Sequence, residues 1–275
     1  MTLSEAYNYG VYFLSANGVD EADFKSLCLC CHCAGIKNNE YEIHKNEDLI
    51  IMKKFADMLW QIKSGEPLQY VIGRWDFYES EFHVGRGVLI PRPETEELTE
   101  LVIDNAKRLC SPVVFDLCSG SGCIGISIAK ALPSSTVYCV EKSEEALQYL
   151  LKNAESISNV KVVNSDINYP SDIKNADIIV SNPPYIKSSD LSTLQSEVQF
   201  EPSMALDGGA DGLDFYRIIA EKWNSNLKEN GMLFLEIGED QGEAVYEILE
   251  KQGFKEIEVV KDMYGNNRMV KSVKK

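Results

Sequence analysis

An asparagine, two prolines and a tyrosine, Asn182-Pro183-Pro184-Tyr185, follow an apolar run that ends in Ser181. The asparagine side-chain carbonyl accepts one N–H. The backbone carbonyl of Pro183 accepts another, on a residue with no N–H of its own. Two acceptors so placed hold both hydrogens of a planar NH2 group. Pro184 stiffens the turn and Tyr185 offers a flat face for stacking. An amide nitrogen shares its lone pair with its carbonyl and is a poor nucleophile. Acceptors that follow its hydrogens as positive charge grows on nitrogen favour the transition state over the ground state. Alignment of that nitrogen with an electrophile adds an entropic gain. Alone, four such residues also allow the lesser reading of a purely structural turn, and the neighbouring motifs strengthen the functional one.

A second motif, DLCSGSGCIGISIA at 116–129, reads as a strand running through a glycine turn into a helix. Gly120 and Gly122 allow backbone conformations closed to larger residues, and the helix start presents unpaired N–H groups. Cys118, Ser119, Gly120 and Gly122 are therefore candidate cofactor contacts. Asp116, just before the turn, either orders it or reaches a cationic cofactor group. Glu141, closing the next strand, is placed to accept from both ribose hydroxyls, and Asp166 from an adenine amino group. Nicotinamide enzymes use a similar turn. The Asn-Pro-Pro-Tyr turn has no place in hydride transfer, and an acidic pocket suits a sulfonium cation. Together these motifs point to methyl transfer from S-adenosyl-L-methionine, leaving S-adenosyl-L-homocysteine, onto a planar nitrogen.

Strands are expected at 113–117, 136–141, 160–163, 176–181 and 231–237, with helices at 122–132, 143–154 and 241–252 between and after them. This alternation implies a mostly parallel sheet with helices on both faces, and ligands at the carboxyl ends of its strands. Segments 254–262 and 267–273 read as an antiparallel edge pair. Upstream, apolar spacing predicts helices over 3–14, 22–35 and 47–62, the last including Leu49. Segments 71–84 and 87–90 have strand composition and suggest a hairpin. Pro91 and Pro93 fix the backbone around Arg92, and 94–109 resumes a helix with an acidic first turn. Three regions result: a helical domain at 1–64, a connector with a β-hairpin at 65–93, and the α/β domain at 94–275. Gly208, Gly209 and Gly212 suggest a mobile loop.

The formal charge is −16 and no Lys/Arg-rich block appears, which disfavours stable nucleic-acid binding. No apolar run approaches the roughly 18 residues of a membrane span. The first residues lack the basic and apolar regions of a secretion signal, so a cytoplasmic protein is expected. Cys28, Cys30, Cys31, His32 and Cys33 are nearly contiguous, without a distant C-x-x-C pair to complete a zinc tetrahedron. They read as helix core, and Cys118, Cys123 and Cys139 as core or close-packing residues, so no metal is expected.

The sequence resembles the bacterial release-factor glutamine methyltransferases over nearly its whole length. The resemblance is carried by PLQYVIG (67–73), FHVGRGVLIPRPETEELTE (82–100), DLCSGSG (116–122), NPPYI (182–186), EPSMALDGGADGLDFYR (201–217) and EIGEDQG (236–242). It implies a Rossmann-like, seven-stranded class I methyltransferase domain behind a helical domain that helps hold the substrate protein. It implies methylation of N5 of the glutamine in the Gly-Gly-Gln motif of class 1 peptide chain release factors, by a monomer. By that pattern Glu141 and Asp166 contact adenosine, the glycine loop wraps the methionine end, and Asn182, Pro183 and Tyr185 hold the glutamine. Arg92 and Glu94 belong to a segment beside the active site. Cys118 departs from the family, which more often has glycine there. An adenine-N6 methyltransferase is the nearest rival, opposed by the charge and by the IPRPETE stretch. A nicotinamide oxidoreductase and an inactive binding protein leave more unexplained.

Overall fold

The computed structural model describes residues 1–48 and 51–275. Leu49, assigned above to a helix face, lies outside the described residues. The chain divides into two compact units. One comprises Met1–Arg74 with Gln195–Phe200; the other comprises Trp75–Leu194 with Glu201–Lys275. This differs from the three-part scheme, because the 65–93 connector splits between the units.

The first unit is helical. Thr2 and Glu5 cap α1 (Leu3–Ala16) reciprocally: Thr2 Oγ1 accepts from the Glu5 N–H at 3.2 Å, and Glu5 Oε2 from the Thr2 N–H at 2.8 Å. Helix α2 (Ala22–Ala34) stops at Gly35, as its sequence predicts. The third expected helix starts later, as α4 (Met52–Lys63), after a single turn, α3 (Tyr41–His44). A short α5 (Leu68–Ile72) occupies part of a segment expected to be extended. Leu3, Ala6, Leu14, Leu29, Phe55, Leu59 and Ile62 fill the core together with all four clustered cysteines. Burial pushes the Cys30 thiol up to about 12 and Cys31 to about 11. These thiols stay protonated and act as small hydrophobes. Buried Lys25 donates to Glu197 of the 195–200 segment at 2.6 Å.

The second unit opens with a hairpin, β1 (Arg74–Phe77, whose first residue closes the other unit) and β2 (Ser80–His83). The GVLI stretch at 87–90 is not a strand. Its backbone is taken by a turn, Val88 N–H to Gly85 C=O, and by a side chain, Ile90 N–H to Glu201 Oε2 at 3.0 Å. There follow α6 (Pro93–Ala106), β3 (Val113–Leu117), α7 (Cys123–Ala131), β4 (Thr136–Glu141), α8 (Glu144–Ala154), β5 (Val160–Asn164), β6 (Ala176–Ser181), α9 (Asp214–Ile218), β7 (Leu227–Glu236), α10 (Gly242–Lys251), β8 (Phe254–Lys261) and β9 (Asn267–Lys274). The seven-stranded sheet runs β5-β4-β3-β6-β7-β9-β8. Its first five strands are parallel; β9 is antiparallel to β7, and β8 to β9, as the late segments predict.

Side chains alternate across this sheet. Val114, Ile178, Val180 and Phe234 face α6, α7 and α8 through Leu98, Val102, Ile126, Ile128 and Leu150. Phe115, Leu117, Ile179, Leu233 and Leu235 face Tyr216, Trp223, Val245 and Leu249. Helix α9 and the π-helical turn after it, Ile219–Trp223, were not legible in the sequence. Trp223 anchors them, its indole N–H donating to the Ile167 carbonyl at 2.8 Å and its ring meeting Phe115 edge-on at 5.4 Å. Among the described residues, no helix is long and apolar enough to cross a membrane. Cys110 is exposed, and all eight cysteines are free.

Leu98 is fully buried between α6 and the sheet. Leu98→Ala is expected to cost about 2–5 kcal/mol, read as a lower urea midpoint with an unchanged denaturant slope.

Candidate functional site

Strand order reverses between β3 and β6: the chain moves from β3 to β4 and β5 on one side, then from β6 to β7 on the other. A crevice is left at the carboxyl ends of β3 and β6, the usual ligand position in such sheets. The loop after β3 and the turn after β6 both open into one cavity. Its wall includes Arg92, Thr95, Cys118, Ser119, Gly120, Glu141, Asp166, Asn182 and Pro184, with apolar surface from Ile124, Val140, Ala146, Ile167, Phe215 and Ile218. Eight of the residues expected to form the site are thus brought together. Asp116 is buried beneath the glycine loop, and Gly122, Glu94, Pro183 and Tyr185 adjoin the wall through their chain neighbours.

The loop is built from beneath. Three of its residues have left-handed backbones: Cys118 (φ 59°), Gly120 (55°) and Gly122 (82°). Gly122 starts α7, and Gly125 lets that helix press on the sheet, since a Cβ there would lie 2.5 Å from Cys139 Sγ and 2.9 Å from Asp116 Oδ2. Asp116 is fully buried. Its Oδ2 accepts the Gly125 N–H at 3.0 Å, while Oδ1 meets no donor among the described residues. Of its two expected roles, ordering the turn is the one its position supports. Burial pushes its carboxyl up to about 7. Cys118, read both as a close-packing residue and as a candidate cofactor contact, is partly buried and stands on the cavity wall.

Glu141 holds the loop from the side. Its Oε2 accepts the Gly120 N–H at 2.8 Å, and Oε1 accepts those of Lys142 and Ser143 at 2.8 and 2.7 Å. Asp166 Oδ1 takes the backbone and side-chain N–H of Asn168, and Oδ2 pairs with Lys142 Nζ at 2.7 Å. Burial opposes the Asp166 charge, yet Lys142 and Asn168 hold its carboxyl below the usual range. Two carboxylates therefore flank the cavity.

The Asn-Pro-Pro-Tyr turn is held by partners that sequence reasoning missed. Asn182 Nδ2 donates to Thr95 Oγ1 at 3.1 Å, and that hydroxyl donates to Glu236 Oε2 at 2.7 Å. The Asn182 amide thus turns its NH2 toward α6 and leaves its carbonyl for a ligand. On the other side Gln241 Nε2 donates to the Tyr185 carbonyl at 3.0 Å, with Gln241 Oε1 accepting from Gly238 N–H and Tyr216 Oη. Thr95 and Glu236 lie within quoted motifs, but their pairing spans 141 residues and no local pattern announces it. Arg92 reaches the wall paired with buried Glu201. Burial pushes the Tyr185 phenol up to about 12, so it stays neutral. The loop expected to be mobile is tied back to this turn: Gly208 N–H donates to the Ile186 carbonyl at 2.7 Å and Ser188 N–H to the Gly209 carbonyl at 3.0 Å.

Known proteins resemble this chain over most of its length. The family profile described as Methyltransferase small domain matches residues 92–201, and that described as PrmC N-terminal domain matches residues 5–73. A release factor glutamine methyltransferase of Thermodesulfovibrio yellowstonii is 45% identical over 210 residues, covering 74% of this chain and 75% of that protein. One from Clostridium acetobutylicum is 39% identical over 251 residues, covering 87% and 85%. Another from Fusobacterium nucleatum is 35% identical over 274 residues, covering 97% and 77%.

Because Cys118 carries a Cβ in a left-handed conformation, Cys118→Gly is expected to be more stable than Cys118→Ala by about 1 kcal/mol in chemical denaturation. Asp116 gives a pH prediction. Its carboxyl stands at about 7 folded against an ordinary 3.8, so folding takes up a proton between those values. Its relative stabilisation is present near pH 4 and lost as pH rises through 7. Asp116→Asn should therefore gain on the wild type between pH 4 and 7 and then level off, in unfolding midpoints measured across that range.

Proposed function

The chain belongs to the release factor glutamine methyltransferase family, and we propose that it methylates N5 of the glutamine in the Gly-Gly-Gln motif of class 1 peptide chain release factors. The observation that carries this reading is the orientation of Asn182. Its NH2 is engaged by Thr95, so its carbonyl is the atom left to accept from a substrate amide, and it shares a wall with the glycine loop.

The donor is S-adenosyl-L-methionine, and the residues present fit it. Glu141 and Asp166 offer carboxylates to ribose and adenine and favour a cationic ligand by charge. The apolar surface from Val140, Ile124 and Ile167 suits a flat base, and the loop at 118–122 lets backbone approach the methionine end. When bound, the cofactor supplies a methyl group made electrophilic by its sulfonium. The chain's own part is to bind and orient. Asn182 Oδ1 and the Pro183 carbonyl accept the two hydrogens of the glutamine amide, and Tyr185 sets the plane of that amide. Those acceptors strengthen as charge develops on nitrogen, which lowers the barrier selectively. The N-terminal helical unit helps hold the release factor. The enzyme works as a monomer in the cytoplasm, and its charge of −16 suits a protein partner better than a phosphate backbone.

Incubation with methyl-labelled cofactor and a release factor should add one methyl to the Gly-Gly-Gln glutamine, located by mass spectrometry of that peptide. Label found only in adenine of added nucleic acid would overturn the substrate while keeping the chemistry. Asn182→Ala is expected to lower turnover about 100- to 1000-fold. Titration with S-adenosyl-L-homocysteine should show its cofactor affinity little changed.

A further inference from the structure

Asparagine is a two-ended ligand. A half-turn about its last side-chain bond exchanges an acceptor for a donor, and only the carbonyl-out orientation takes a hydrogen from a substrate NH2. Nothing in Asn182 itself selects that orientation; its neighbours do. Thr95 and Glu236 are each 2% exposed, so water offers little alternative partnership. An ionised carboxylate only accepts. The Thr95 hydroxyl must then give its one hydrogen to Glu236 and turn a lone pair to Asn182, which can answer only with its NH2. We infer that Glu236, acting through Thr95, is a positioning pair that sets the hydrogen-bond direction of Asn182 and so makes its carbonyl the substrate acceptor. This rests on the proposed amide-holding role of Asn182 and adds that the acceptor's orientation depends on the charge of a residue outside the cavity wall.

The direction reverses in one circumstance. A protonated Glu236 can donate to Thr95 Oγ1, which frees the threonine hydrogen for the carbonyl of a flipped Asn182. The NH2 of Asn182 would then face the substrate NH2, donor against donor. Burial pushes the Glu236 carboxyl up to about 7, with Glu94 of α6 adding to that rise. The Thr95 hydrogen bond, Arg268 of β9 and Arg92 before α6 oppose it. Tyr185 of the turn, Tyr216 of α9 and Cys123 of α7 also face Glu236. Orientation is therefore held above neutrality and released in acid.

Two measurements test this. In nitrogen-15-labelled protein bound to S-adenosyl-L-homocysteine, the Asn182 side-chain amide should exchange with solvent roughly tenfold faster in Thr95→Val than in wild type. Thr95→Ser should restore slow exchange. Unchanged exchange in Thr95→Val overturns the inference, whatever the methyl acceptor is. With release factor as acceptor, Thr95→Val should lower kcat about 10- to 100-fold with little change in cofactor KM, and should add nothing further in an Asn182→Ala background. Effects that multiply in the double variant would mark a merely structural role and overturn the inference. Wild-type kcat should fall as pH drops through about 7, and this limb should vanish in Glu236→Gln. A limb that persists there belongs to another group, such as Asp116, and also overturns it. Wild-type enzyme that leaves release factor unlabelled while the exchange pattern holds would sink only the substrate assignment.

Discussion

Strands β3 and β6 lie side by side, yet the chain leaves β3 toward one edge of the sheet and β6 toward the other. No connection crosses their shared carboxyl end. Every functional feature depends on this gap, because it is where a strand can end in an open turn without a helix lying on top of it. The glycine loop and the Asn-Pro-Pro-Tyr turn are the first residues after those two strands. Their spacing follows from the parallel register, in which Leu117 stands opposite Ser181 and the Ser181 hydroxyl donates to the Leu117 carbonyl at 2.6 Å.

Around that gap the protein concentrates acidic groups and treats them unequally. Glu141 accepts backbone N–H groups, Lys142 and Asn168 hold the Asp166 carboxyl below its usual range, and both residues face the cavity. Asp116 and Glu236 are buried behind it, where the loss of hydration dominates. The front pair supplies charge to a cationic ligand. The rear pair organises the two turns from below, Asp116 through the start of α7 and Glu236 through Thr95. Thus four carboxyl groups within one site divide into two tasks, set by solvent access together with the donors and charges each one meets.

Where a segment's local pattern and its tertiary environment agreed, the sequence was legible. Strands β3, β4 and β6 match their expected bounds, because each is a short apolar run closed by a turn. The glycine loop, Glu141, Asp166 and Asn182 were identified from residue type and position and do meet in one cavity. One misreading came from a segment whose backbone is satisfied by a distant side chain. The GVLI stretch has strand composition, but Glu201 takes the Ile90 N–H from 111 residues away. Helix α9 continues into a π turn with little periodicity to betray it, and Trp223 packs that turn against Phe115 on one face of the sheet. Thr95, Glu236, Tyr216 and Gln241 were unreadable as partners for the same reason. Spacing within a motif carries no record of what the fold brings against it.

The six residues Gln195–Phe200 are counted with the helical unit although the chain on both sides of them belongs to the other. The polypeptide therefore passes between the units three times, and truncation near Arg74 would not separate them cleanly. A fragment starting at Trp75 would keep this six-residue excursion while losing Lys25, the buried cation that Glu197 meets. Excising the helical unit as a free-standing piece would in turn leave a gap where Phe200 packs beside Gly65. Dissection of this protein into halves is better attempted by cutting at 74 and also shortening 195–200 than by a single cleavage.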